Sequence, residues 1–387
     1  MHTSPNIICN FDISRPLYKS TQEQTAEWLI AAHVKAEETS QQSTIEQLKK
    51  FQEEIRQQML RVGCKPGIIE QRGHEIDDFL HRDWNLMQVY NLEKNPQGAS
   101  LQERQAIHQE IVERNFNKLY PSSNLPPRDL IHVSCTGYAS PSAPQKIATT
   151  HQWGDFTTIT HAYHMGCYAA IPAIRMATAF SAWHKERCDI VHTELCSLHI
   201  NPLQHESDLL VAQSLFADGS IKYSVLPESC FTNKSSKKPY LKILGIYERI
   251  IPNSLNAIQW RLGNWGFQFG LAKETPALIA PALQGYLHAL CEKANLDVDD
   301  IIRNAIFAIH PGGPKILQYV QKMFGLRDEQ IQTSKVIFQQ CGNMSSATLP
   351  HIWEKICSEE TVANGTKIVS LGFGPGVTIA GIILEKG

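Results

Sequence analysis

From about residue 129 the chain changes texture: short β-rich runs such as LIHVSC (130–135), DIVHTELCSLHI (189–200) and AIFAIH (305–310) alternate with helical stretches. Strands separated by helices pair side by side with the helices on the faces of the sheet, so this alternation predicts α/β architecture. Between the first two runs the pattern predicts a helix over 168–183, rich in Ala, Ile and Met, with Pro172 near its first turn, where a missing N–H costs least. A further strand is expected at LKILGIYERII (241–251), then a helix opened by Thr275 and Pro276, and a closing pair of strands around 368–370 and 377–384. The part before residue 129 reads as helices. Ser20 with Glu23 and Ser43 with Glu46 are expected to form capping boxes. The second of those helices repeats Ile45, Leu48, Phe51, Ile55 and Met59 at steps of three and four, which marks one buried face, and Gly63 is placed to end it.

A chain of 387 residues exceeds the usual size of one hydrophobic core, so two domains or one large duplicated unit are expected. The polar loop TNKSSKKPY (232–240) places the half-boundary and divides the chain into 1–235 and 236–387. With 42% hydrophobic and 19% charged residues, the composition is that of a compact globular protein. Lys+Arg 36 against Asp+Glu 38 leave a net charge of -2, too balanced for a nucleic-acid partner or a polybasic membrane surface. No run reaches eighteen apolar residues and no basic, apolar leader opens the chain, so neither membrane insertion nor export is expected. The ten cysteines never form C-x-x-C, which points to reduced thiols in a cytoplasm and to no metal site.

The chemistry concentrates in three places. In YHMGCYAAIPAIRMA, Cys167 follows a glycine at the opening of a helix, where unpaired N–H groups and the positive end of the dipole favour a thiolate. His310 ends a strand-like run and is followed by Pro-Gly-Gly, a tight turn that projects a polar group into a cavity. Asn343 sits beside a glycine and can supply an amide donor. Taken singly, these are a small buried cysteine, a turn histidine and an Asx-turn asparagine. Together, a thiol, an imidazole and an amide can carry out acyl transfer: the cysteine accepts the acyl group while the other two polarise a thioester carbonyl.

Three ordered motifs, HPGGPK (310–315), GNMSSAT (342–348) and GFGPGVTIAGIIL (372–384), resemble the signatures of type III polyketide synthases, the chalcone synthase-like branch of the thiolase superfamily. SCTGYASPSAP (134–144), MGCYAA (165–170) and SDLLVAQSLFADGS (207–220) extend the resemblance over most of the chain, in the family's order. The resemblance implies a homodimer of thiolase-like, five-layered αβαβα subunits with two pseudo-duplicated halves. It carries the nucleophile onto Cys167 and its partners onto His310 and Asn343. Arg61, Lys65 and Lys315 would contact the phosphates of coenzyme A, although Arg61 and Lys65 also suit a helix C-terminus that needs positive charge. Substrates would be coenzyme A thioesters, with no further cofactor. Iterative decarboxylative condensation of malonyl-CoA onto an acyl starter would end in a pyrone or a phenolic, resorcinol-type ring, and the alternative is a single-condensation ketoacyl synthase using acyl-CoA or an acyl carrier protein.

Two departures bear on the cavity. Where plant members carry a gatekeeper phenylalanine this chain reads HINPLQ, which puts Ile200 in its place, and the second family phenylalanine maps to Phe269 or Phe267. Cys135 occupies a position that lines the cavity in relatives, and Gly372, Phe373, Gly374, Pro375 and Gly376 form the loop that shapes cyclisation. The aliphatic stretches 168–183 and 189–200 favour an aliphatic starter, if they line that cavity rather than the core.

Overall fold

A computed structural model describes residues 5–122, 124–231, 238–272 and 274–387. Their strands are β1 (Asn6–Ser14), β2 (Tyr18–Thr21), β3 (Gln71–His74), β4 (Asp129–Ser134), β5 (Thr158–Tyr163), β6 (Cys188–Leu195), β7 (Asp218–Pro227), β8 (Leu241–Ile250), β9 (Ile258–Leu262), β10 (Phe267–Leu271), β11 (Ile306–Ile309), β12 (Lys367–Gly374) and β13 (Thr378–Lys386). Nine of them make one mixed sheet in the order β11-β12-β13-β8-β1-β7-β6-β4-β5, while β2 pairs with β3 and β9 with β10.

The sheet repeats one pairing scheme. β4 and β6 run parallel, and β6–β7 and β7–β1 antiparallel. In the same way β11 and β12 run parallel, and β12–β13 and β13–β8 antiparallel. The two stretches meet where Ile7 and Ile8 of β1 face Lys242 and Leu241 of β8. Because side chains alternate across a strand, each stretch feeds two cores. On β4, Leu130 enters one cluster while Ile131 and Val133 enter another; on β12, Ile368 joins the latter and Val369 a third. The shared cluster holds the helices Ala170–His184 and Thr348–Ser358 between the two stretches. The outer faces are covered by Gln22–Ser40, Ile45–Val62 and Leu101–Leu119 on one side, and by Thr275–Lys293 and Pro314–Phe324 on the other. Helices, sheet, helices, sheet, helices: this is the five-layered order that the sequence suggests. Burial on both faces is why the strands read as continuous apolar runs.

Several local expectations need correction. The first third is not all helical, because β1 lies in the middle of the sheet. Its period-2 pattern is broken by Asn10 at φ 54 and a register shift between Cys9 and Asp12, which hides it in the sequence. The helix caps are Thr21 with Gln24 and Thr44 with Gln47, one residue beyond the expected pairs. Ser20 cannot cap, since its hydroxyl is buried in bonds to Thr25 and His74. Ile45 is 76% exposed, so the buried face of its helix narrows to Ile55 and Met59. The boundary loop at 232–240 falls largely on residues 232–237, outside the described ones.

Candidate active site

Cys167 lies in the turn that leads into the helix Ala170–His184, whose first turn holds Pro172 as its third residue. Gly166 turns the chain at φ 85, and its carbonyl accepts from the Ala169 N–H at 3.0 Å, which winds the entry. A Cβ at Gly166 would stand 2.6 Å from Pro375, so the nucleophile turn and the glycine-rich loop touch backbone to ring. Gly372 and Gly374 serve the same contact: a Cβ on Gly374 would lie 2.3 Å from the Tyr168 ring.

The Cys167 thiol donates to Ser345 Oγ at 3.8 Å. Burial pushes its pKa up to about 12, Ser345 working against the rise and nearby Glu194 adding to it. Burial thus opposes the thiolate that the helix terminus favours. His310 follows β11, anchored by its N–H to Leu371 O at 2.8 Å. The adjoining Gly372 would place a Cβ 3.2 Å from Tyr168 Cα, so His310 and Cys167 are brought to the same end of the sheet by neighbouring strands. Burial lowers the His310 pKa to about 3, and neither ring nitrogen has a partner among the described residues. Burial favours the neutral form of both Cys167 and His310, and the His310 ring is not hydrogen-bonded to the thiol. Asn343 completes the group. Its N–H donates to Leu215 O and its carbonyl accepts from Ala217 N, both at 2.9 Å, while Oδ1 accepts from Ser345 N at 2.9 Å. With the oxygen fixed, the amide nitrogen is left as a donor.

Beneath Cys167 lies a carboxylate not singled out in the sequence. Glu194 accepts from Cys135 N at 2.9 Å, Thr136 Oγ1 at 3.2 Å and the Ser346 hydroxyl. Burial raises its pKa to about 7. A lone glutamate inside the apolar run DIVHTELCSLHI was the signal that could have found it.

A pocket lined by none of Cys167, His310 and Asn343 adjoins them only through two of its residues. Phe216, which bridges to Asn343, and Trp260, whose indole N–H donates to Cys135 O at 2.6 Å, form its inner wall. Ile200 and Phe269 line it, joined by Arg72, His74 and His199. Its free volume is about 40 Å3, room for a few waters. Phe267 does not line it: this ring is 1% exposed and stacks on His199 at 4.7 Å. His199 is held as one tautomer, Nε2 donating to Thr136 O at 2.7 Å and Nδ1 accepting from Phe267 N at 3.1 Å. Cys135 does not line it either, since its thiol accepts from Gly166 N at 2.9 Å and so props the nucleophile turn. Gly372, Gly374, Pro375 and Gly376 back Tyr168, Gly166 and Thr378, and Phe373 faces a separate apolar hollow against Ile279, Leu283 and Val320. The aliphatic residues of the helix Ala170–His184 face the shared core, so they supply no acyl-binding wall.

Arg61 closes the helix Ile45–Val62, Lys65 follows it, and Lys315 opens the helix Pro314–Phe324; all three are exposed. Cys64 N donates to Ser214 Oγ at 2.9 Å, and the Cβ position of Gly313 is 3.5 Å from Leu215, so both cationic segments flank residues 214–215 on the rim next to Asn343. Among the described residues no cluster of His, Cys, Asp or Glu is arranged to hold a metal, and no helix is long and apolar enough to cross a membrane.

Residues 243–386 match the family model of the chalcone and stilbene synthases, C-terminal domain. Over 225 residues, 57% of the chain, the sequence is 30% identical to a probable polyketide synthase 1 of Dictyostelium discoideum, a match that takes in 7% of that protein's length. Two solved structures share the fold end to end. The C-terminal type III polyketide synthase domain of Steely1, a type I/III hybrid from Dictyostelium, superposes with a TM-score of 0.80 at 21% identity, over 98% of this chain and 99% of that one. PKS-I from the brown alga Ectocarpus siliculosus gives 0.82 at 19% identity, over the whole of both chains.

Proposed function

We propose, from the match of residues 243–386 to the chalcone and stilbene synthase family model and from the fold the chain shares with two type III polyketide synthase structures, that it is an acyltransferase of this kind. It loads an acyl group from coenzyme A onto Cys167 and extends it with malonyl-CoA. The observation that carries this reading is a buried His310 with both ring nitrogens unpartnered, together with a Cys167 thiol on Ser345, whose N–H in turn ties the Asn343 amide oxygen.

In loading, Cys167 Sγ attacks the starter thioester as His310 takes the thiol proton. The proton passes to the departing coenzyme A sulfur, leaving acyl-Cys167 and free coenzyme A. Malonyl-CoA then binds with its thioester oxygen on the His310 ring N–H and the Asn343 amide. Loss of carbon dioxide places an enolate oxygen there, and each donor lowers that barrier by roughly 3 kcal/mol in a site this dry. The enolate carbon attacks the acyl carbonyl, the carbon–sulfur bond to Cys167 breaks, the released Cys167 sulfur takes up one proton from solvent, and the chain is left on the malonyl-derived coenzyme A two carbons longer, to be reloaded on Cys167 for the next round. Every step balances with thioesters, one proton and carbon dioxide. Repetition followed by ring closure gives a pyrone or a phenolic product, made by a cytoplasmic homodimer whose halves 1–235 and 236–387 descend from a duplication. Arg61, Lys65 and Lys315 hold the coenzyme A phosphates from the rim.

Mass spectrometry of products from malonyl-CoA and a panel of acyl-CoA starters tests this. Products extended by two or more acetate units are expected, and Cys167→Ala should make none while keeping its fold. A single extension throughout would favour a ketoacyl synthase, and extended product from the variant would remove Cys167 from its role.

A further inference from the structure

The wall of the pocket carries a guanidinium that the acyl-transfer chemistry does not use. Arg72 and His74 are the two inward residues of the short strand β3, both 1% exposed, and both line the pocket. The Arg72 stem packs against Gly342, where a Cβ would come within 3.1 Å of it. Its Nη1 donates to the Gln213 and Phe216 carbonyls at 2.7 and 2.9 Å, which locks the head in place. Nε and Nη2 have no hydrogen-bond partner among the described residues, and of the carboxylates only Asp218 acts on the charge, through space and without an ion-pair contact. A buried cation left with open N–H groups is costly, and a ligand anion is what would offset that cost.

The neighbouring histidine fixes what such a ligand must offer. Thr25 Oγ1 donates to Thr21 O at 3.0 Å, so the 2.6 Å contact between Ser20 and Thr25 is a donation by Ser20. Ser20 must then accept from His74, whose Nε2 is 2.8 Å away, and Nε2 carries the ring proton. His74 Nδ1 is left as a bare lone pair without a partner, on a ring stacked over Phe79 at 4.2 Å. A donor fork and an acceptor therefore sit side by side in the pocket wall. A carboxylate that enters with one proton taken from solvent meets both groups, one oxygen accepting from the guanidinium and the proton held between the other oxygen and Nδ1.

We propose that Arg72 and His74 form a subsite for a terminal carboxyl group, and that the acyl groups this enzyme accepts are short dicarboxylic half-thioesters. The thioester end rests on the polyketide synthase reading; the carboxyl end rests on Arg72 and His74 alone. This assignment replaces the aliphatic starter that the apolar runs of the sequence favoured, since the helix Ala170–His184 faces the core and the part of the second run that reaches the pocket, Cys196, Ser197, His199 and Ile200, is half polar.

The test compares glutaryl-CoA with 5-methylhexanoyl-CoA, which replaces the carboxylate by an isopropyl group of similar shape. Calorimetry on Cys167→Ala should show glutaryl-CoA binding roughly ten- to a hundredfold more tightly, the range for a hydrogen bond to a charged group. Arg72→Met in that background should erase the difference. His74→Leu, which leaves the Arg72 bonds to backbone intact, should shrink it, and this variant carries the test if Arg72→Met does not fold. In the active protein the kcat/KM ratio of the two starters should follow the binding ratio. Equal binding, or a preference that His74→Leu leaves unchanged, would overturn the subsite. Condensation without preference sinks the subsite alone, whereas preference in binding with no condensation from any starter keeps it and sinks the polyketide reading.

Discussion

At the scale of single residues, the site favours the neutral forms of its nucleophile and base. Cys167 is pushed up to about 12 and His310 down to about 3, both by burial, so the thiol loses its proton only as pH rises and the imidazole gains one only in strong acid. At pH 7 a thiol of that pKa is ionised in about one molecule in 10⁵. Alkylation of the free enzyme by iodoacetamide, followed on the Cys167 peptide, should therefore accelerate about tenfold per pH unit from pH 7 to 9 with no plateau. A rate that levels off above pH 6 would reveal a preformed thiolate–imidazolium pair. Turnover is not limited by this small fraction, because His310 can take the proton in the same step as the attack. Glu194 makes the site's electrostatics less favourable to a standing thiolate, since its negative form, held back by burial to about 7, raises the Cys167 pKa further.

At the scale of elements, the active end of the sheet depends on how closely β12 and the loop after it approach the nucleophile turn. Gly374→Ala would drive a methyl group to 2.3 Å from the Tyr168 ring, one residue from Cys167. We expect a loss of about 1–3 kcal/mol in stability and a fall in kcat at nearly constant malonyl-CoA KM, because the overlap moves the nucleophile and not the phosphate rim. Tyr168→Ala combined with Gly374→Ala should recover more than half of the stability loss, which equilibrium denaturation would read as non-additivity. Simple addition of the two losses would mean that the ring has room to move away. This contact also shows what was legible beforehand. The glycines of GFGPG, Cys167, His310 and Asn343 stand in short motifs whose local order is the signal. Arg72, His74, Glu194 and Ser345 do not, because they matter only through partners 100 or more residues away or across strands that the sequence does not pair. The strands buried on both faces were readable from their apolar runs, whereas β1 was hidden by its bulge and the caps were displaced by one residue because Ser20 is engaged by His74.

At the scale of the whole molecule, a net charge of -2 gives no long-range pull on an anionic thioester, so recruitment of coenzyme A must be local. The two exposed cationic segments, Arg61 with Lys65 and Lys315, come from helices on opposite sides of the five layers and converge on the rim around residues 214–215. That convergence is a product of the fold, since 250 residues separate Lys65 from Lys315. On the proposed reading, phosphates held there would be remote from the reacting carbonyl and bound equally in ground and transition states, so these contacts would act on KM rather than kcat. We expect Arg61→Ala and Lys315→Ala each to raise the malonyl-CoA KM about three- to tenfold at low ionic strength with kcat nearly unchanged, and the effect to shrink as salt is added, because exposed charges are screened beyond about 10 Å at 0.1 M. Steady-state kinetics at low and high salt decides it. A KM that does not move at low salt would make both residues ordinary surface cations, with Arg61 serving the carbonyl end of its own helix, and a fall in kcat would mean that the rim is coupled to the chemistry at Cys167.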